Sequence, residues 1–178
     1  MRKIAIGCVL AILGSAAFIT PAFAMGSSDA YENIQVGVTY TVYEPSFTAG
    51  LKATHIGGND LCPAGTEENL TARYGKSNGR QFAITEGNPM CSDIGVGQTV
   101  LTTNIGDAKA VVQAYCDPAS KKKCTKADVV RFGGHLEVTL PAAPGLRTTR
   151  IWIETFGTKN LSAQQLVQIA KGLEPVSG

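Results

Sequence analysis

From Ile34 the chain alternates: Ile34, Val36, Val38, Tyr40 and Val42 stand between Gln35, Gly37, Thr39 and Thr41. A period of two sends successive side chains to opposite faces of a strand, so this stretch predicts a strand that Pro45 ends. A weaker alternation at Leu51, Ala53 and His55 leads to Gly57-Gly58-Asn59-Asp60, which opens a loop carrying Cys62 and Pro63. Leu70, Ala72 and Tyr74, then Phe82 and Ile84, alternate on either side of Gly75-Lys76-Ser77-Asn78-Gly79-Arg80. Asn-Gly accepts the positive φ angles of a type I′ turn, so the two arms predict a hairpin. Gly87 to Gly97 reads as a loop. Gln98 to Thr103 and Lys109 to Tyr115 predict a second hairpin, joined through Asn104-Ile105-Gly106-Asp107, although the alanines of the second arm also suit a helix. Leu136, Val138 and Leu140, stopped by Pro141, and Thr148 to Phe156, which holds Trp152, supply two more strands.

Two stretches carry the helical period. Thr125-Lys126-Ala127-Asp128 resembles a capping box with Asp in place of Glu, and opens a short helix that Gly133-Gly134 stops. Ser162-Ala163-Gln164-Gln165 is a second capping box. The stripe Leu166, Val167, Ile169, Ala170 and Leu173 follows it, and Gly172 and Pro175 end it. The fold class expected is α+β: an antiparallel sheet of six to eight strands with a C-terminal amphipathic helix packed on one face.

The first residues fit neither pattern. Arg2 and Lys3 precede an apolar run from Ile4 to Ile19, and Ala22-Phe23-Ala24 has the small-x-small form that signal peptidase reads. The run is roughly 16 residues, short of the about 20 a spanning helix needs. The reading is therefore a signal peptide over 1–24, a flexible leader over 25–30, and one domain over 31–178. A retained anchor is the alternative. A lipidation box at Ala5-Ile6-Gly7-Cys8 comes too early in the apolar run. Cleavage of 24 of the 178 residues leaves 154, enough for one domain with a real core. Of 16 Lys and Arg, two lie in the leader, so the remaining 14 match the 14 Asp and Glu. A neutral domain gives no long-range reason to expect nucleic acid as a partner. No later segment is apolar for long enough to span a membrane.

Five cysteines give one to the leader, Cys8, and four to the domain. An even number in an exported chain predicts two disulfides. Of the three pairings, Cys62–Cys91 with Cys116–Cys124 is favoured, because the second pair clamps the turn-rich segment from Asp117 to Lys123. A four-thiolate zinc site is the rival, but the short paired spacing of a zinc ribbon is absent.

Reactive motifs are few. Ser120-Lys121-Lys122-Lys123 has the S-x-x-K spelling of penicillin-binding enzymes, but it sits in the expected disulfide loop without a K-T-G partner. Gly75-Lys76-Ser77 copies the end of a phosphate-binding loop, yet Leu70 stands where that loop needs glycine and a hairpin turn explains the run. The two histidines, His55 and His135, are far apart and each lies in a strand pattern, so no metal site is expected. His135, beside two glycines, is a minor candidate to face a groove. Glu67, Glu68, Asp93, Asp107, Asp128, Glu137 and Glu154 are scattered. Glu154 alternates with Trp152 and Phe156 and is placed on a partly buried face. Neither a cofactor nor catalytic residues are assigned. Lys121, Lys122, Lys123 and Lys126 form a positive patch: a solvated loop tip, or a contact loop for an anionic wall polymer or a phospholipid surface.

The ending Trp152-Ile153-Glu154-Thr155-Phe156-Gly157, followed by Ser162 to Leu173, resembles the close of small extracytoplasmic bacterial domains found in anti-sigma-factor-linked proteins and secreted lipoproteins. Those domains end with W-x-E-x-G and a helix of the form S-x-x-x-L-V-x-I-A-x-x-L; here Phe156 adds one residue before the glycine. The resemblance implies an α+β fold and a secreted or cell-envelope role, and it carries no catalytic residues. The function expected is a non-catalytic binding module whose partner is an envelope protein or an anionic wall polymer. A secreted enzyme using Glu154, His135 and Asp128, and a carrier for a small apolar ligand between sheet and helix, are the alternatives.

Overall fold

The computed structural model describes residues 27–59, 66–91, 94–116 and 123–176. The expected signal peptide, Cys62, Lys121 and Lys122 lie outside them. Three helices and nine strands follow in order: α1 (Ser27–Gln35), β1 (Tyr43–Pro45), β2 (Ala53–Asn59), β3 (Asn69–Gly75), β4 (Arg80–Gly87), β5 (Gln98–Ile105), β6 (Ala108–Ala114), α2 (Lys126–Phe132), β7 (Gly134–Leu140), β8 (Thr149–Gly157), α3 (Ala163–Lys171) and β9 (Leu173–Pro175). Seven strands form one antiparallel sheet in the order β2-β3-β4-β8-β7-β6-β5. β1 and β9 pair in a separate two-stranded sheet. The fold is α+β with α3 packed on the large sheet, as the sequence predicts.

Alternation along the strands builds the core. Ala72, Tyr74, Phe82, Ile84, Val112, Leu136, Val138, Ile151 and Ile153 turn to one face and are almost wholly removed from water. Tyr31 of α1, Val129 of α2 and Leu166, Ile169 and Ala170 of α3 join the same cluster. Among the described residues all three helices pack on this face; the opposite face, the open face below, carries partly exposed side chains such as Trp152 and Glu154. Both hairpins form, β3–β4 and β5–β6, but the first turn takes its positive φ at Gly75 (94°) and not at Asn78-Gly79 as a type I′ turn would; Gly106 stands at φ 56° in the second turn. The second arm, Ala108–Ala114, is a strand and not a helix, because alternate residues Ala110, Val112 and Ala114 meet the core.

Both predicted caps are present. The Asp128 carboxylate accepts the Thr125 N–H at 2.7 Å and its hydroxyl at 2.9 Å. Ser162 Oγ accepts from the Gln165 N–H, while Gln165 Oε1 accepts from the Ser162 N–H at 3.0 Å. Each closed cap is worth about 1 kcal/mol.

One predicted strand is corrected. Helix α1 takes Ser27–Gln35, including the part of the expected leader from Ser27 to Ala30, and Val36-Gly37 turn the chain with Val36 88 % exposed. From Val38 to Val42 the chain is irregular, touching the rest through a parallel bridge between Tyr40 and Arg147. The Gln35 side chain stands in for a neighbouring strand: its amide nitrogen donates to Tyr40 O at 3.0 Å and its oxygen accepts the Val42 N–H at 2.7 Å. With Tyr40, Thr41, Val42 and Tyr43 all buried, period two is lost. β2 also runs further than expected, through Gly57-Gly58-Asn59.

Candidate functional site

The open face of the sheet carries the candidate chemistry. Pairing of β7 with β8 sets His135 opposite Glu154, Glu137 opposite Trp152 and Thr139 opposite Arg150. On the next strand Gln113 stands opposite His135. Tyr115 follows the end of β6 in the phase of Val111 and Gln113, and its N–H is held by Gly133 O at 3.0 Å. Gly133, at φ 87°, lies under the tyrosine ring: an added Cβ would stand 3.3 Å from Tyr115 and 3.1 Å from Thr155 O.

These side chains form one connected set. Tyr115 Oη–H donates to Glu154 Oε1 at 2.7 Å, and His135 Nδ1 lies 3.1 Å from the same phenol oxygen. Tyrosine has one proton, and it goes to the carboxylate. His135 must therefore donate from Nδ1, which leaves Nε2 as its acceptor. The imidazole leans on Trp152 with ring centres 6.2 Å apart. On the far side of Trp152 the Arg150 guanidinium stacks 5.0 Å from the ring centre and binds Glu137 through Nε at 2.8 Å and Nη2 at 2.5 Å. Trp152 Nε1 is shielded from water and has no hydrogen-bond partner.

Burial moves the two titratable rings in opposite directions and holds both in their neutral forms. Burial, with the hydrogen bond and charge of Glu154, raises the Tyr115 phenol above its ordinary range. Burial lowers His135 below the usual imidazole value, and Glu137 opposes this only in part. A general acid or base works best with a pKa near the working pH. Here the phenol keeps its proton and the imidazole resists gaining one, which suits fixed hydrogen bonding better than proton transfer.

The other sequence-predicted residues fall elsewhere. Asp128 caps α2, and the Thr125 N–H and hydroxyl hold its carboxylate below the usual range. Lys123 and Lys126 are exposed beside that cap. Cys116 and Cys124 form the expected disulfide with Cα atoms 6.0 Å apart. It closes the lysine loop and fixes the residue after Tyr115. Cys91 is disulfide-bonded, and the Cys62 expected to be its partner lies outside the described residues. The buried Asn69 side chain fastens the Cys91 loop, donating to Pro89 O at 3.0 Å and accepting the Cys91 N–H at 2.5 Å. Gly87 is obligatory beside it, because a Cβ there would sit 1.9 Å from Asn69 Nδ2.

Sequence reasoning grouped Glu154 and His135 with Asp128, which instead caps α2, and missed Tyr115, which joins the first two. The signal was present in the alternation Val111, Gln113, Tyr115, out of phase with the core-facing alanines. Among the described residues no group of three His, Cys, Asp or Glu is arranged to hold a metal ion, and no helix is long and apolar enough to cross a membrane. No family model, curated protein or solved structure matches the chain.

Proposed function

We propose that this chain is an exported, non-catalytic binding module that receives a glycan-rich polymer of the cell envelope on the open face of its sheet. The observation that carries the reading is the half-buried row of Tyr115, Trp152 and Phe156 on one sheet face, among Gln113, Glu154 and Arg150. Sugar rings offer C–H faces that pack on aromatic rings, and hydroxyls that need fixed donors and acceptors at the edges. A prepaired face meets both needs with little ordering cost on binding.

Export is supported by the N-terminal pattern and by the Cys116–Cys124 disulfide, which is compatible with an oxidising compartment. The resemblance of the C-terminal motif to extracytoplasmic bacterial domains points the same way. Mass spectrometry of the natural protein tests this, with a chain starting at Met25 as the expected result. A chain that keeps its leader and holds free thiols overturns export.

The binding reading is tested with soluble wall-glycan fragments and the fluorescence of the single tryptophan. Saturable change, abolished in Tyr115→Ala with the fold intact, is expected. Neither a fluorescence change nor heat on titration would defeat it. The contact between Glu154, Tyr115 and His135 favours one second reading, a secreted enzyme acting on the same polymer; turnover lost in Glu154→Gln would replace binding with catalysis. The carrier reading draws no support from the interface of α3 with the sheet, which Leu136, Ile153, Leu166 and Ile169 fill, all fully buried.

A further inference from the structure

A second site lies at the end of the sheet where β2 begins, β3 ends and β4 begins. A hollow of about 350 Å³ is lined there by Leu51, Lys52, Gly75, Lys76 and Arg80, with Asn78 and Gly79 on the turn. Its three cations come from separate segments. Ala53 pairs with Tyr74 across β2 and β3, which sets Lys52 opposite Gly75, the residue before Lys76, and the Gly75 N–H fixes the junction by donating to Lys52 O at 2.9 Å. Arg80 opens β4 across the turn, and a backbone bridge to Lys159 adds a fourth cation to the same end. All four side chains are exposed. The ion pairs among the described residues are Arg147–Glu67 and Arg150–Glu137, and neither involves these four.

The backbone is built tightly around the hollow. Gly75 has φ 94°, and a Cβ there would fall 2.1 Å from Arg80 O, so only glycine lets the two arms close. Gly50, at φ 74°, also lines the hollow, and a Cβ there would meet no atom within 4 Å. The half-buried Leu51 gives the lining an apolar surface. Cations gathered around one end of a sheet raise the local concentration of anions. Arg and Lys together match phosphate, the first through its planar fork and the second as a point charge. The volume is at the small end for ligand sites, which suits one phosphate group on a short carbon body.

We propose that this hollow binds a phosphate group carried on a small aliphatic body, such as a glycerol phosphate, with the phosphate among Lys52, Lys76 and Arg80 and the carbons on Leu51. The site is separate from the open face and does not depend on what that face binds. Phosphate of this kind occurs free in solution or as a lipid headgroup, so the test has two arms. Amide spectra of the labelled disulfide-intact domain are recorded with sn-glycerol 3-phosphate, and then with vesicles of phosphatidylglycerol against vesicles of phosphatidylcholine. Binding moves the signals of Gly50, Gly75, Gly79 and Asn78 and weakens as salt screens the cations. A response to the soluble ester assigns a free ligand; a response only to the anionic vesicles assigns a headgroup.

The variant Lys52→Gln, Lys76→Gln, Arg80→Gln loses at least roughly tenfold in affinity, as removal of three phosphate contacts requires. Lys76→Gln alone, on an exposed turn, loses less and guards against a folding defect in the triple variant. Silence in both arms overturns the site. So does a response spread over all surface lysines, or one that the triple variant retains with an otherwise unchanged spectrum.

Discussion

Two carboxylates on adjacent strands show how differently the two faces of the sheet treat the same group. Glu86 of β4 points inward opposite Ile151, and Glu154 of β8 points outward opposite Ala83. Glu86 is fully buried; its Oε2 accepts the Tyr43 N–H at 2.9 Å and its Oε1 has no partner. Burial raises it well above the usual carboxylate range, with the Tyr43 N–H opposing. Four phenols share that interior: Tyr31 and Tyr74, whose hydroxyls touch at 2.7 Å, with Tyr40 and Tyr43. Tyr74 is pushed up to about 12, mainly by burial. Glu154, by contrast, has water on one side and a phenol donor on the other. On the inner face polar groups position the chain, as Glu86 does for β1. On the open face they lie where a partner can reach them.

The contrast is broken most severely by truncating like residues on the two faces. Phe82→Ala removes a fully buried ring stacked on Tyr74 at 4.6 Å, and a loss of about 3–5 kcal/mol is expected in denaturant unfolding. Next comes the staple beside the open face. Replacing Cys116 and Cys124 by serine releases a loop closed over a separation of 8 residues, which costs about 2.5 kcal/mol in the chain-entropy account. Fluorescence of Trp152 should report that loss together with a looser Tyr115.

A pH series sharpens the inner half. Glu86 keeps its proton in the folded state after the unfolded chain has lost it. Stability is therefore greatest below the ordinary Glu range and falls as pH rises toward the folded value, by at most about 1.4 kcal/mol per pH unit. Glu86→Gln should remove that slope; an unchanged slope would show that other groups carry it. His135 works in the opposite sense. Its folded value is lowered, so it contributes stability that is lost as pH falls below the usual imidazole range. His135→Gln should flatten that weaker acid-side decline. The smallest effect belongs to Phe156→Ala on the open face, within about 1 kcal/mol in unfolding, while glycan affinity drops. Equal losses for Phe82 and Phe156 would abolish the distinction between the faces.

How much of this was legible depended on distance along the chain. Both hairpins, the strand at Leu136 and the capped helix at Ser162 rest on local chemistry, and the residues that define them lie close together. The stretch from Ile34 to Val42 misled because alternation reports only that side chains differ. It is silent on whether a sheet edge exists to receive them, and the Gln35 amide took that place. The candidate site failed to appear for a related reason. His135 and Glu154 meet only through the pairing of β7 with β8, and Lys52 reaches the Gly75-Lys76 turn only through the pairing of β2 with β3. Those registers are long-range facts that no local window contains.

The two-stranded sheet has a mechanical consequence. Tyr43 stands opposite Pro175 and Pro45 opposite Leu173, so the chain leaves the pair at the same end in both directions. Tension applied through the termini would peel these strands apart one contact at a time and not shear them together. The first yielding event under load should thus be a low-force opening there, ahead of rupture of the seven-stranded sheet.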